Sequence, residues 1–276
     1  PIEWSPDSIW IAFHHGLENA NDALFVYNLE KKEKKQLTSG FYDDSNPVFS
    51  TDGKYLFFMT NRNMQPHYSD MGDGTWVYPN STQLAYMSLT KTAPNLLAPK
   101  NDNYKPKETE EKKEKPKTEK PDKTEKPEDK GKEKANKKEN LVAIDFDDLE
   151  ARVRILPPKA GNFGGIMAFA NKLVYVRGAN TGSEKRGASL QYFDLKERAE
   201  KTILASVGGV VKTADGKALL VSDKGRYGII KPAPKQKIAK PIPTNGLVMD
   251  LVPREEWRQL FADAWRRHRD FFYDPN

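Results

Sequence analysis

The sequence contains no cysteine among its 276 residues. Disulfide bonds, thiolate nucleophiles and cysteine-ligated metal sites are therefore excluded from this chain. Histidine is scarce, with four copies, and no Gly-x-Ser-x-Gly pattern occurs, so no nucleophile–base arrangement can be recognised. No apolar run approaches the roughly 18 residues that a membrane-spanning helix needs, and we predict no membrane span.

Charge of one sign is not concentrated in any segment, although the formal net charge is +6. Residues 101–139 hold 14 lysines, but they also hold 12 aspartates and glutamates. The rest of the chain shows no basic stripe and no nucleic-acid-binding motif. We therefore predict that nucleic acid is not a partner.

The same tract, residues 101–139, almost lacks apolar side chains and carries prolines at short intervals, such as Pro116 and Pro121. It cannot offset the entropy of ordering by burial, and its prolines interrupt any continuous helix. We predict a disordered, solvated Lys/Glu/Pro-rich insertion.

An internal repeat is the strongest positive signal. Residues 4–13 match residues 49–58 at a constant offset of 45, and a weaker copy spans residues 213–221. Repeats of about 40–45 residues built from short strands are typical of β-propeller blades. Each copy contains an aspartate in a tight turn, namely Asp7, Asp52 and Asp215, and we predict that these carboxylates cap turn amides.

The offset between corresponding strands grows from 45 to 60, because Leu29 matches Leu89. About fifteen extra residues between Asn61 and Thr82 thus form an insertion, which we predict to be a loop on one rim of the propeller. Strand-like patterns resume at residues 141–146 and 152–156, so the charged tract interrupts a blade. The predicted organisation is propeller blades over 1–100, the insertion over 101–139 and further blades over 140–246.

Residues 247–276 differ in pattern and begin a new domain. Apolar side chains recur there with helical spacing, and Pro253 suits a first helical turn. The predicted fold class is all-β, a partial propeller of the seven-bladed type, followed by the first amphipathic helix of an α-helical or mixed core domain.

Candidate chemistry is sparse. The triplet His268-Arg269-Asp270 lacks the rest of a kinase signature, and adjacent His14 and His15 would point to opposite faces of a strand. Asn80-Ser81-Thr82 fits a glycosylation sequon, a pattern common by chance. Ser183 and Ser206 are best explained as turn residues. We predict no catalytic, cofactor-binding or metal-binding residue in this chain.

The join between blades and helix resembles the tricorn protease family. Residues 253–266 and 269–276 are similar to the start of the family's first core domain, and residues 144–153 and 192–195 are similar to its late propeller. The resemblance implies a serine peptidase whose propellers filter and conduct peptides. The family's catalytic His, Ser, supporting Ser and Glu would all lie beyond residue 276, with a PDZ-like domain and the catalytic core.

The same resemblance implies peptide substrates, no cofactor and a homo-oligomer. We expect a cytoplasmic protein, with an exported one as the alternative because a signal peptide could precede this sequence. Two other functions stay open from the residues: a non-enzymatic TolB-like binding propeller, and the propeller of a prolyl-oligopeptidase-type enzyme. The sequence that follows residue 276 would discriminate among the three.

Overall fold

The computed structural model describes residues 2–63, 67–68, 76–77, 79–99, 141–244 and 246–272. The chain divides into two compact units, Pro1–Ile238 and Ala239–Asn276. The first unit consists of antiparallel sheets, and the second contains a helix.

The first sheet is a four-stranded meander whose strands pair in chain order. Its tight turns at Ser5–Ser8 and after Leu29 alternate with aromatic and β-branched runs, the composition that favours strands. The strands are β1 (Ile2–Trp4), β2 (Trp10–Gly16), β3 (Asp22–Asn28) and β4 (Glu33–Gln36).

The second sheet contains both predicted insertions. Its strands are β5 (Asp44–Phe49), β6 (Tyr55–Thr60), β9 (Gln83–Ser88) and β10 (Val153–Ile155), and a small pair, β7 (His67–Tyr68) and β8 (Trp76–Val77), lies between β6 and β9. Strands β9 and β10 flank the charged tract and pair with each other, Met87 opposite Val153. The tract therefore interrupts a blade, as predicted; residues 101–139 themselves lie outside the described residues, so their predicted disorder stays a prediction.

The third and fourth sheets follow in chain order. The third has four strands, β11 (Phe163–Phe169), β12 (Lys172–Gly178), β13 (Ala188–Asp194) and β14 (Ala199–Leu204); the fourth has β15 (Gly209–Lys212), β16 (Leu219–Asp223) and β17 (Arg226–Ile230). We expected four strands in each blade, and the fourth blade has three in the part of the chain described. Pro232 and Pro234 follow β17 and lack the N–H group that a further paired strand would need.

Successive blades pack face to face because side chains alternate between the two faces of a strand. In β6, Leu56 and Phe58 belong to the core shared with the first blade. Tyr55, Phe57 and Met59 belong to the core shared with the third blade. A third core joins the third and fourth blades, so three apolar layers hold the four sheets in sequence.

The two ends of this stack keep exposed apolar faces. On the first blade, Ile2 and Trp4 are 68% and 54% exposed. On the fourth, Val211, Leu220 and Ile229 are cross-strand neighbours, and Val211 and Ile229 are each 63% exposed. The four blades therefore form an incomplete propeller rather than a closed ring.

One predicted strand is wrong. Residues 141–146 are not part of any sheet, although their apolar alternation resembles a strand. The N–H of Val142 donates instead to the Asp7 carboxylate at 2.7 Å, and the indole of Trp10 donates to the Val142 carbonyl at 3.2 Å. The segment is held by side chains of the first blade and, at Asp145, by hydrogen bonds to Leu89 and Lys91 of the second; strand pairing resumes only at β10.

The second unit contains α1 (Pro253–Phe271), which begins with Pro253 in its first turn as predicted. Glu255 and Glu256 lie in the first turn, and His268 and Arg269 lie in the last, so the charges favour the helix dipole at both ends. Among the described residues, no helix is long and apolar enough to cross a membrane.

Candidate functional site

The repeated turn motif is structural, as predicted. Asp52 accepts hydrogen bonds from the Ser50 hydroxyl at 2.6 Å and from the Lys54 N–H at 3.2 Å. Asp215 accepts from Thr213 and the Lys217 N–H in the same way. Asp7 accepts from Ser5 and Ile9, and it also binds the Val142 N–H, which the sequence did not predict. These carboxylates are fully used in turns.

The histidines do not assemble a reactive site in the part of the chain described. His14 Nδ1 lies 3.1 Å from an Asp22 carboxylate oxygen, and the ring of His15 stands edge-on to Phe25. The His268 ring lies near Phe272 on the helix. Within the described ranges, no group of three or more histidine, aspartate or glutamate residues could hold a metal ion.

The side chain of Asn80 is already occupied. Its carbonyl accepts from the N–H of Thr181 at 2.8 Å, and its amide group lies 3.5 Å from the Thr181 carbonyl. Its sequon neighbour Ser81 is buried. Asn80 therefore joins the second blade to a loop of the third, which is a structural role and not that of a glycan acceptor.

The two candidate serines are also structural. The Ser183 hydroxyl donates to the Asn180 carbonyl at 2.7 Å, and the Ser206 hydroxyl donates to Asp223 at 2.8 Å. Among the described residues, neither hydroxyl bonds to a histidine or lysine side chain, which agrees with the prediction that both are turn residues.

Loops from three blades gather at one end of the strands, which we call the upper rim. Because consecutive strands are antiparallel, the β2–β3, β4–β5, β6–β9, β10–β11 and β12–β13 connections all lie at this end. The described ends of the β6–β9 insertion, Asn61 and Thr82, lie here, so the structure places the base of the insertion on one rim of the propeller, as predicted.

Side-chain hydrogen bonds fasten these loops across the seam between the first two blades. Asp43 accepts from the N–H of Asp22 at 3.0 Å and from the amide of Asn61 at 2.9 Å. The Asn61 carbonyl accepts in turn from the Thr82 hydroxyl at 2.9 Å. The two ends of the insertion are thus bonded to each other and to the first blade.

A buried ion pair lies below this seam. Arg62 donates to Asp44 at 2.9 Å and to Glu150 at 3.1 Å, and its guanidinium group lies 4.4 Å from the ring centroid of Tyr42. Asp44 is fully buried. Burial raises the pKa of the Asp44 carboxyl, and the charge of Arg62 opposes part of that rise. Glu150 also accepts from the Ser39 N–H at 2.8 Å, which ties the short 3₁₀ helix Glu150–Arg152, just before β10, to the first blade.

A second polar cluster supports the third blade. The buried Tyr175 hydroxyl donates to Glu200 at 2.5 Å, and Arg177 lies 3.6 Å from the same carboxylate. Burial, together with the hydrogen bond to Glu200, raises the pKa of Tyr175. The Arg177 guanidinium stacks on the ring of Phe163 at 5.0 Å. The cluster is satisfied internally and fixes the base of the β12–β13 loop.

Two neighbouring concavities on the upper rim share lining residues. One of about 410 Å³ is lined by residues that include Phe41, Tyr42, Asn63 and Ser81. The other, of about 530 Å³, lies between the second and third blades. Its lining residues are Asn63, Pro79, Asn80, Ser81, Gln83, Lys159, Ala160 and Asn180. Most of the described residues that line the two concavities carry amide, hydroxyl or aromatic side chains.

Sequence reasoning found the insertion but not the residues that make this rim. Asp43, Asn61 and Thr82 come from separate loops, and their identities alone give no sign that they meet. The available signal was the change in repeat offset, which starts at Asn61 and ends at Thr82.

Comparison with known proteins agrees with this architecture. Residues 1–233 match the family profile described as the tricorn protease second beta propeller domain, and residues 253–276 match the tricorn protease C1 domain. The boundary between the two matches falls where the blades end and α1 begins.

The similar relatives are all tricorn homologues. A putative tricorn protease homolog 2 from Streptomyces coelicolor is 23% identical over 99% of this chain and 23% of the relative. A putative tricorn-like protease C-terminal subunit from Sulfurisphaera tokodaii is 20% identical over 100% of this chain and 29% of the relative. The chain therefore spans about a quarter of the length of the curated relatives it matches.

The solved structure of the tricorn protease has the same fold. It superposes with a TM-score of 0.72 at 17% sequence identity, over 99% of this chain and 25% of that chain. Of the three functions left open by the sequence, these matches favour the tricorn type over the TolB-like and prolyl-oligopeptidase types.

Proposed function

Because the chain belongs to the tricorn protease family, we propose that it is the propeller part of a serine-type peptidase. In this proposal the blades filter peptide substrates and conduct them to a catalytic core formed by residues outside this chain. The observation that carries the proposal is that this chain matches the second propeller domain over residues 1–233 and the C1 domain over residues 253–276, in that order.

The bonding of the candidate serines and turn aspartates supports a separation between substrate selection in this chain and catalysis elsewhere in the protein. The candidate serines and the aspartates of the turn motif all have structural partners in the described part of the chain. Chemistry would then be acyl transfer from the peptide to a serine, followed by hydrolysis of the acyl-enzyme, in another part of the protein. The propeller contributes selection and guidance to this reaction.

The helix α1, which follows the blades in the chain, supports the same proposal. Trp257, Phe261 and Trp265 are 64%, 76% and 55% exposed, and a helix with such a face requires apolar neighbours. The core domain that follows in the family would supply them. We also propose that the whole protein is a homo-oligomer in the cytoplasm.

Labelling of the nucleophile tests this assignment directly. The full-length protein would be treated with a fluorophosphonate, digested and examined by mass spectrometry. We expect one labelled serine, outside the 276 residues, together with loss of peptide hydrolysis. A label on Ser183 or Ser206 that abolishes hydrolysis would refute the assignment, and persistent hydrolysis without any label would refute the serine type.

A further inference from the structure

The two neighbouring concavities share the lining residues Asn63 and Ser81, and we call the pair the rim groove. This rim groove runs from Phe41 on the first blade, past Asn63, to Lys159 and Asn180 at the third blade. It crosses both seams, and the hydrogen bonds of Asn61 and Asn80 hold its floor in place.

The middle of the rim groove offers unused amide groups. Asn61 and Asn80 are engaged with protein partners, whereas the side chains of Asn63, Gln83 and Asn180 have no hydrogen-bond partner among the described residues. Each carboxamide presents two donors and an acceptor. Three such groups in one concavity match the alternating N–H and C=O groups of an extended peptide main chain.

The first-blade end of the rim groove is aromatic. Phe41 is 73% exposed, and its ring meets Tyr42 edge-on with centroids 4.9 Å apart. Asn21 donates to the backbone carbonyl of Phe41 at 3.1 Å, and Arg62 stacks on Tyr42, so neighbours hold the Phe41 backbone and the Tyr42 ring. A positioned, exposed aromatic surface favours contact with an apolar side chain of a ligand.

The third-blade end of the rim groove is cationic. Lys159 lines the concavity, is exposed and has no acidic partner in the part of the chain described. An ammonium group at the end of an amide-lined groove favours a carboxylate on the ligand. That carboxylate could come from an acidic side chain or from a peptide C-terminus.

We propose that the rim groove is a peptide-binding site. An extended segment lies with its main chain against Asn63, Gln83 and Asn180, an apolar side chain against Phe41, and a carboxylate beside Lys159. This inference rests on the proposed function in one respect, namely that peptides are what the whole protein handles. It adds a defined binding surface on the upper rim. It also specifies the ligand, an extended peptide with an apolar side chain towards one end and a carboxylate towards the other.

Photo-cross-linking on the full-length protein tests the site. Peptides of about eight residues, extended at about 3.3 Å per residue, would carry benzoylphenylalanine near one end and a free carboxylate at the other. Brief irradiation on ice, followed by mass spectrometry, identifies the residues labelled, and competition with unlabelled peptide gives an apparent Kd. We expect adducts within the loops that contain Phe41 and Asn63.

Three variants test the aromatic end, the middle and the cationic end of the rim groove separately, and two further variants serve as controls. Phe41→Ala and Asn63→Ala should each weaken the apparent Kd about three- to tenfold, the effect of losing one aromatic contact or one hydrogen-bonding group. The matched exposed residues Tyr227 and Lys231 on the fourth blade give the controls Tyr227→Ala and Lys231→Glu, which should leave it unchanged. All the replaced side chains are solvent-accessible, and circular dichroism verifies that the variants fold.

The third variant, Lys159→Glu, is compared with changes in the peptide to identify which carboxylate of the ligand lies beside Lys159. If the ligand uses its C-terminus, amidation should weaken binding to the original protein as much as the variant weakens binding of the free acid. If an acidic side chain is used, amidation has no effect and Asp→Asn or Glu→Gln in the peptide does. Either result supports the cationic end of the groove.

The outcomes separate this inference from the proposed function. Adducts confined to other regions, or equal effects of the groove and control variants, would overturn the groove while peptide hydrolysis by the same protein leaves the proposed function standing. Specific adducts at Phe41 in a protein that hydrolyses no peptide would support peptide binding in the rim groove and would refute the proposed peptidase function. Retention of an oligosaccharide, but of no peptide, would overturn the choice of ligand.

Discussion

The hydroxyl of Thr82 donates a 2.9 Å hydrogen bond to the side-chain carbonyl of Asn61, across the base of the insertion in the second blade. The same asparagine donates to Asp43 on the loop from the first blade. One side chain therefore closes the insertion and fastens it to the neighbouring blade. The rim that we propose as a peptide site depends on this connection.

Replacement of Thr82 by valine should weaken that connection. The change keeps the shape of the side chain but removes one hydrogen bond, so the free energy of unfolding should fall by about 1 kcal/mol. Urea unfolding of the 276-residue chain measures it. Thr51→Val in an exposed turn is the matched control and should have little effect; equal losses for both variants would contradict the role of Thr82.

Breaking the Arg62–Asp44 ion pair should lower the free energy of unfolding far more than the Thr82 replacement does. Arg62→Met leaves the fully buried Asp44 without its cation, and such a change costs about 3–5 kcal/mol. Adding Asp44→Asn should restore part of the loss, because the second change removes the uncompensated charge. A single variant as stable as the original protein would show that the pair contributes nothing.

The same pair predicts a dependence on pH. Burial already raises the folded-state pKa of Asp44 above its unfolded value, and loss of Arg62 should raise it further. The folded state then binds a proton more readily, so the penalty in Arg62→Met is fully present above the raised pKa and shrinks as pH falls through it. The difference in Tm between variant and original should be smaller at pH 5 than at pH 8; the opposite trend would contradict this assignment.

The exposed face of α1 predicts self-association of the chain when it is produced alone. Trp257, Phe261 and Trp265 could each contribute about 1.5–3 kcal/mol on burial. Replacing all three by glutamine should shift the sedimentation profile towards a single small species. An unchanged profile would show that this face is not what associates, and replacement of Arg258, which lies on the same helix, by glutamine is the control.

Most of the blades could be predicted from the sequence because strand and turn patterns act locally. The alternation in β6 assigns Leu56 and Tyr55 to opposite faces, and the aspartates of the turns are positioned by neighbours two residues away. Residues 141–146 show where the method fails. Their alternation fits a strand, but the backbone of Val142 bonds to the side chains of Asp7 and Trp10, more than 130 residues earlier.

The rim could not be predicted for the same reason. Asn61, Asp43 and Thr82 are ordinary loop residues until the blades pack, and only the tertiary structure brings them within bonding distance. The change in repeat offset located the insertion without indicating what holds it. The amides of Asn63 and Gln83, which have no hydrogen-bond partner among the described residues, become notable only beside the engaged amide of Asn61.

The charged tract gives an independent prediction. Replacing residues 101–139 with a flexible Gly/Ser linker of about ten to twenty residues should leave the Tm of the full-length protein nearly unchanged, because the tract has almost no apolar surface to bury. Differential scanning fluorimetry measures it. A loss of more than a few degrees would show that the tract packs against folded parts of the protein.

Peptide hydrolysis tests the central claim most directly. The full-length protein and the 276-residue chain would be compared at equal concentration on a broad panel of fluorogenic peptides. Our account predicts turnover by the full-length protein and none by this chain, whose candidate serines have only structural partners. Turnover by the purified chain would contradict the assignment of catalysis to another part of the protein, and no turnover by the full-length protein would contradict the peptidase itself.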